Sequence, residues 1–394
     1  MPQGEDLPLA VLTVVVAAWA VVIYRLIRLR HAHYGTFDFD EGIYDQYFWN
    51  LAHGSQANTV RGVPFFGHHA SYAMFLLLPL VWLGGDVNTW NGLHVIALGA
   101  TAFVLYALAR DKLGSAWWGL AAGLLWLAQP TVSWLVHEGY HPDGMALPFL
   151  VGTYLLGERW AAERKDGAVR PITRWLFVGA FVLTISWKED LALALFGIGL
   201  VWVVRRRWYL ARWVLAASAL WFVVFGMVVV PHVAGGTVYG GIYDLGSTPS
   251  EIIRTSAEHP SRLLEKLDEN DAPKYGTDLT KSWGFVPVLS PLTLIIGAPM
   301  MGTNIISASG FTWDLHFHYQ AIPVATMAIS TIAAGTSLPT GCSTRYTRQM
   351  SAPLRFRTPA AATLKRASRS ATAATSRPSA ESRVRAATRS RASS

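Results

Sequence analysis

Apolar residues fall in long blocks along this chain, separated by short polar or charged stretches. No sustained period-two alternation occurs, so the pattern predicts helices rather than half-buried strands. The first block is about 7–27. Others follow at about 72–83, 88–109, 115–136, 142–157, 174–187, 191–204, 211–231, 285–300 and 317–334. Together they predict an all-α, polytopic transmembrane helical bundle of about 8–10 membrane segments, a full span needing about 20 apolar residues. The block at 72–83 is short and reads as re-entrant. The stretch 174–204 is interrupted by Lys188-Glu189-Asp190 and crosses either once or as two short helices. A polar loop at 28–70 separates the first two blocks. Within it Tyr44, Tyr47, Phe48 and Leu51 recur at helical spacing, which predicts an interfacial helix over about 41–51 in the first outer loop. The residues before 7 lack the basic region of a cleaved signal peptide, so 7–27 reads as a retained anchor.

Composition supports this class. The chain is 52% hydrophobic and 15% charged, with mean hydropathy +0.29, against roughly 25% charged in soluble domains. Its 17 Trp suit interfacial anchoring. A single Cys, Cys342, excludes an internal disulfide and a cysteine-based zinc site. The net charge of +8 is a property of the C-terminal end. Residues 341–394 hold 12 of the 33 basic residues and one of the 25 acids, Glu381, leaving 21 basic and 24 acidic residues in 1–340. No nucleic-acid partner is therefore expected. The sequence divides into a transmembrane domain at 1–335 and a basic, low-complexity tail at 336–394 whose composition predicts disorder. The abruptness of the change also fits a shifted reading frame near 335–340.

Lys and Arg set the expected orientation. Arg110 and Lys112, the loop from Arg159 to Arg174, and Arg205 to Arg212 all become cytoplasmic if the N-terminus is inside. The loops at 28–70, 137–141, 188–190 and 232–284 then lie outside, with Arg25, Arg28 and Arg30 as exceptions to the rule.

Those outer loops hold the candidate chemistry. Asp38, Asp40, Glu41 and Asp45 lie within eight residues. Asp38, Glu41 and Asp45 share a helical face, which fits a base or cation site as well as N-capping. His137-Glu138-Gly139-Tyr140-His141 matches H-E-x-x-H, the zinc-protease signature. However, Pro142 disfavours helix at His141 and Gly139 weakens it. Lys188, Glu189 and Asp190 place charge inside an apolar stretch, where charge is costly and usually functional. His316 and His318 do not share a helix face, and His94 reads as a packed interior residue. No metal-ligand set is assigned.

Several stretches in order resemble the DUF2079 family of membrane proteins. They are Phe37-Asp38 through Gly54, His69 with Ser71, Tyr140-His141-Pro142-Asp143, Trp187-Lys188-Glu189-Asp190, Gly284 through Pro291, and His318-Tyr319. The resemblance covers about 25–335 and carries no activity. The acidic pair Asp40-Glu41 soon after the first helix, with an interfacial helix beside it, is distantly similar to GT-C glycosyltransferases. That likeness implies a GT-C-like bundle in the plasma membrane, a polyprenyl-phosphate sugar as donor, and membrane lipid as its surroundings. Asp38 or Asp40 would be the catalytic base and Lys188 would stabilise the leaving phosphate. Glu41, Asp45, His69, His141, Asp143, Glu189, Asp190, His318 and Tyr319 would line the substrate site. A divalent cation would sit at Glu41, Asp143 or Glu189. The alternatives are a transporter or flippase for a lipid-linked or polar solute, and thirdly the zinc protease. Nothing in the sequence sets the oligomeric state.

Overall fold

The first apolar block folds as α1 (Asp6–Ala32) in a computed structural model that describes residues 6–36, 38–237 and 240–336. Among the described residues there is no strand. The loop after α1 contains α2 (Asp38–Ala52), the helix expected there. Its aromatic face is covered by protein: Tyr44, Tyr47 and Phe48 are all buried, and Phe48 stacks on Trp90 at 3.9 Å. Phe39 and Trp49 point outward instead.

Next come α3 (Phe65–His68), a 3-10 stretch and α4 (Pro79–Trp82). The apolar run Tyr72–Trp82 is too short to cross a bilayer. In α5 (Val87–Leu113), Asp86 caps the Thr89 amide and Thr89 reciprocates at the Asp86 amide; Gly114, left-handed at φ 73°, closes it. The block at 115–136 bends by 50° where Pro130 separates α6 (Ala116–Leu127) from α7 (Pro130–His137).

Pro142 opens α8 (Pro142–Lys165), which is buried along most of its length. The 174–204 stretch forms two helices, α9 (Pro171–Trp187) and α10 (Leu191–Val204), broken at Lys188-Glu189-Asp190. A continuous helix then combines α11 (Trp208–Trp221), a π-helical stretch at Phe222–Val229 and α12 (Val230–Ala234). The 232–284 loop folds largely into α13 (Pro249–Glu258), α14 (Pro260–Glu269) and α15 (Ala272–Lys281). Prolines divide the 285–300 block into a 3-10 turn, α16 (Pro291–Leu294) and the start of α17 (Ala298–Ile305). Last is α18 (Ala321–Gly335), buried on almost every side.

Among the described residues three helices are long and apolar enough to cross a membrane: α1, α5 and the α11–α12 unit. The bent α6–α7 pair makes a fourth. The other expected segments form shorter apolar helices, Pro171–Trp187 and Leu191–Val204 among them, cut by prolines and by the 188–190 charges. The tail at 336–394 and the proposed frame change lie outside the described residues, apart from Thr336.

Two close approaches fix the packing around α3 and α8. A Cβ on Gly144 would fall 1.8 Å from Nε2 of His94 on α5, and one on Gly67 would fall 2.9 Å from the Ala234 amide nitrogen at the end of α12. The helices also sort their charges by end. Lys112, Glu158, Arg205 and Arg207 meet at one end of α8. Asp143 meets Lys188 at the other. Asp143 and Glu158 lie 15 residues apart on one helix, about 22 Å at 1.5 Å per residue.

Gly144→Ala should therefore lower stability by about 1–3 kcal/mol through overpacking, read as a lower melting temperature of detergent-purified protein. Gly152→Ala is the control, since its nearest neighbour would stand 3.9 Å away, and should leave melting unchanged.

Candidate functional site

The 138–143 turn is the hub of the site. Glu138 follows the last residue of α7, and Gly139 takes φ +90°, a conformation suited to glycine. A Cβ there would also meet Glu41 Oε1 at 2.5 Å. His141 is extended (φ −139°, ψ 140°), as a residue before proline should be. The H-E-x-x-H residues thus straddle a helix break. The helical i, i+4 geometry that two zinc-binding histidines need is not formed.

Around this turn the structure gathers many of the expected residues. The His141 ring stacks on His318 with centroids 3.8 Å apart. Asp40 Oδ2 stands 3.8 Å from His141 Nε2, and its side chain is 36% exposed. Glu138, 2% exposed, accepts from the His318 amide and lies 3.3 Å from His318 Nδ1. His141 Nε2 and His318 Nδ1 make no hydrogen bond. Ligand atoms of Asp40, His141 and His318 all lie within 4.8 Å of one another, so two imidazoles and a carboxylate could hold a transition-metal ion.

Behind this set lies a second buried group. Lys188 Nζ is 3.2 Å from both Asp143 oxygens and 3.0 Å from Asp190 Oδ2. His69 Nδ1 is 2.8 Å from Glu189 Oε1, and the Ala70 amide donates to Glu189 Oε2 at 2.9 Å. Lys188 is 4% exposed and shared between two carboxylates, so in this conformation it cross-links the site rather than facing a phosphate.

Other expected residues point elsewhere. Asp45 accepts from Trp90 Nε1 at 3.0 Å. Glu41 accepts from Asn91 Nδ2 at 2.9 Å and lies 3.1 Å from His31 Nδ1. It therefore braces the turn and does not reach the Asp40 set. The Asp38 side chain lies outside the described residues. Tyr319 sits beside His318 with ring centroids 4.1 Å apart.

Electrostatics divides the carboxylates. Burial alone would raise Asp40, but the neighbouring imidazoles of His141, His318 and His68 hold it below the ordinary range. Burial pushes Glu138 up to about 7 and Asp190 up to about 7, despite His141 beside the first and Lys188 beside the second. Burial lowers His318 to about 4, so it is neutral at pH 7.

Sequence reasoning undervalued Glu138 and missed Asn91 and the role of His94. His94 is an interior residue, as expected, but its Nδ1 lies 2.8 Å from the Gly139 carbonyl oxygen and so props the turn. The available signal was the pair Asn91 and His94, one turn apart on an otherwise apolar helix.

Lys188→Met would leave Asp143 and Asp190 buried without their cation. Unfolding experiments should show a loss of about 3–5 kcal/mol, and adding Asp143→Asn should recover part of it. Glu138 supplies a pH test. Its folded-state value lies above its ordinary one of 4.5, so the native state binds the extra proton between about 4.5 and about 7. Stability should fall as pH rises through that window. Glu138→Gln should flatten the slope, leaving the contribution of Asp190, which has the same sign. An unchanged slope in melting temperature against pH would count against this assignment.

Comparison with known proteins adds the family and nothing finer. No curated protein and no solved structure matches the chain. A family model described as "Predicted membrane protein (DUF2079)" matches residues 30–356 of the 394, a span that includes α2, the 138–143 turn, Lys188–Asp190 and His318, so the chain belongs to the DUF2079 family of predicted membrane proteins.

Proposed function

We propose that this membrane protein is a GT-C-like glycosyltransferase, moving a sugar from a polyprenyl-phosphate donor to a hydroxyl acceptor at the extracytoplasmic face of the plasma membrane. One observation carries the reading. Asp40 is the most accessible carboxylate of the 138–143 cluster, at 36% side-chain exposure against 2% for Glu138 and 3% for Asp143. It is backed by two stacked imidazoles.

In this scheme Asp40 takes the acceptor's hydroxyl proton as general base. The acceptor oxygen forms its bond to the anomeric carbon while the bond from that carbon to the phosphate oxygen breaks. Polyprenyl phosphate leaves with the electron pair. Neutral His318 offers an N–H to that phosphate, and His141 stands 3.8 Å from the Asp40 carboxylate. The Lys188 triad holds α8 and the α9–α10 break at fixed separation, so the cluster keeps its shape. The depressed Asp40 value favours the ionised form needed to accept a proton. It also makes Asp40 a weak base, suited to a late transfer when the hydroxyl has become acidic.

A second reading, a transporter for a lipid-linked or polar solute, is favoured by a different observation. Asp143, Lys188 and Glu189 are buried ionisable groups within the bundle, and such residues often mark ion or solute pathways.

Membranes containing the protein, supplied with a radiolabelled polyprenyl-phosphate sugar, should form a labelled acceptor product. Asp40→Asn should reduce that product by at least about 100-fold, the lower range of general-base contributions, while melting stays close to wild type. Undiminished transfer by Asp40→Asn would remove it as base. Donor movement across vesicles without product would favour the transporter.

A further inference from the structure

The end of α8 remote from Asp40 carries a separate site. Here Lys112 from α5, Glu158 from α8, and Arg205 and Arg207 after α10 line a cavity of about 310 Å³. That is roughly ten times the ~30 Å³ share of a water molecule in the liquid. Three cations face one carboxylate, an excess of two positive charges. Glu158 is nearly fully buried and holds all three: Oε1 receives Arg205 at 3.0 Å and Arg207, and Oε2 receives Lys112. Trp202 also donates to Oε1 at 3.2 Å, so four donors hold this carboxylate.

The donors are not filled. Arg207 uses Nη1 toward Glu158, and Arg205 uses Nη1 toward Glu158 and the Tyr154 hydroxyl. Each guanidinium has five N–H groups. The cation side chains retain 19–27% exposure, so the excess charge is open to a ligand. The lining also includes the apolar side chains of Leu108, Ile329 and Ile332. Cationic and apolar groups lining one cavity match a phosphoryl group joined to a hydrocarbon better than they match a free carboxylate or a nucleic acid. These residues belong to the Lys- and Arg-rich segments that the positive-inside rule assigns to the cytoplasmic face.

We propose that this cavity binds the phosphoryl group of an anionic ligand at the cytoplasmic end of the bundle. An anionic phospholipid headgroup and a soluble phosphate ester share that chemistry. Glu158 acts as the organiser, holding two guanidinium planes and an ammonium in place before the anion arrives. The proposal is independent of the Asp40 reading, because it concerns the other end of α8.

The test uses the purified full chain in a non-ionic detergent. Short-chain phosphatidylglycerol, phosphatidylcholine and inorganic phosphate are each titrated by calorimetry. Phosphatidylglycerol should bind at least about tenfold more tightly than phosphatidylcholine, the scale of one charge-assisted hydrogen bond. Arg207→Gln should weaken it about tenfold, and Arg207→Lys should keep most of the affinity. Should Arg207→Gln fail to fold, Lys112→Gln serves the same purpose. Saturable binding of inorganic phosphate with no response to phosphatidylglycerol supports the phosphoryl site and assigns it to a soluble ester. Equal binding of the two lipids with no heat from phosphate overturns the proposal, as does affinity unchanged by both charge removals.

Discussion

Asp143 sits in the first turn of α8 with almost no contact with solvent, and Lys188 is the main partner that makes that burial tolerable. An isolated carboxylate moved into such surroundings would lose hydration worth several kcal/mol even after relaxation. Within α8 the first basic residue after Asp143 is Arg159, too far along to reach it, so the chain supplies the cation from the break between α9 and α10. That requirement explains why an apolar run at 174–204 tolerates three charges in its middle. The triplet is where two helix ends converge on a third helix and satisfy one another's ionised groups. Glu189 turns the other way to His69 and the Ala70 amide, tying the segment between α1 and α5 to the same point. Remove the ion triad and three separate segments lose their common reference.

The helical class was legible because long apolar blocks with punctuating Pro, Gly and charge leave few alternatives. The α2 helix was legible from the spacing of Tyr44, Tyr47 and Phe48, but its environment was not. Those aromatics pack equally well against lipid or against Trp90 and Tyr140, and periodicity alone does not distinguish a protein partner from a bilayer. How each apolar block divides was less legible. Hydropathy registers apolar content, whereas prolines break 285–300 into short turns and most of 317–334 is apolar because it packs inside the protein.

The site was half legible. The acids of 38–45, the 137–143 segment and the 188–190 triplet were recognisable as polar interruptions, and the structure brings parts of all three together. Their division of labour was not recognisable. Asp40 and Glu41 are neighbours in sequence but point about 100° apart on a helix, so one meets His141 and the other meets Asn91 and His31. Glu138 owes its altered chemistry to burial, which no linear spacing encodes. His94 looked inert because its partner is a backbone carbonyl, a group every sequence position possesses.

The contact between Gly67 and the end of α12 has a mechanical meaning. Gly67 precedes the His68-His69 pair, and its missing side chain lets the last turn of the α11–α12 helix press directly on that loop. The same helix is mostly exposed along its length, with only 17% of its apolar window buried inside the protein. Its first half is held against α10 through buried Leu210, Ala211 and Val214, whereas none of Phe222–Val229 in its second half is buried. At Gly67 the seat is backbone against backbone, with no flexible side chain between to absorb a shift. The loop that carries His69 toward Glu189 and the end of this helix therefore move as one piece.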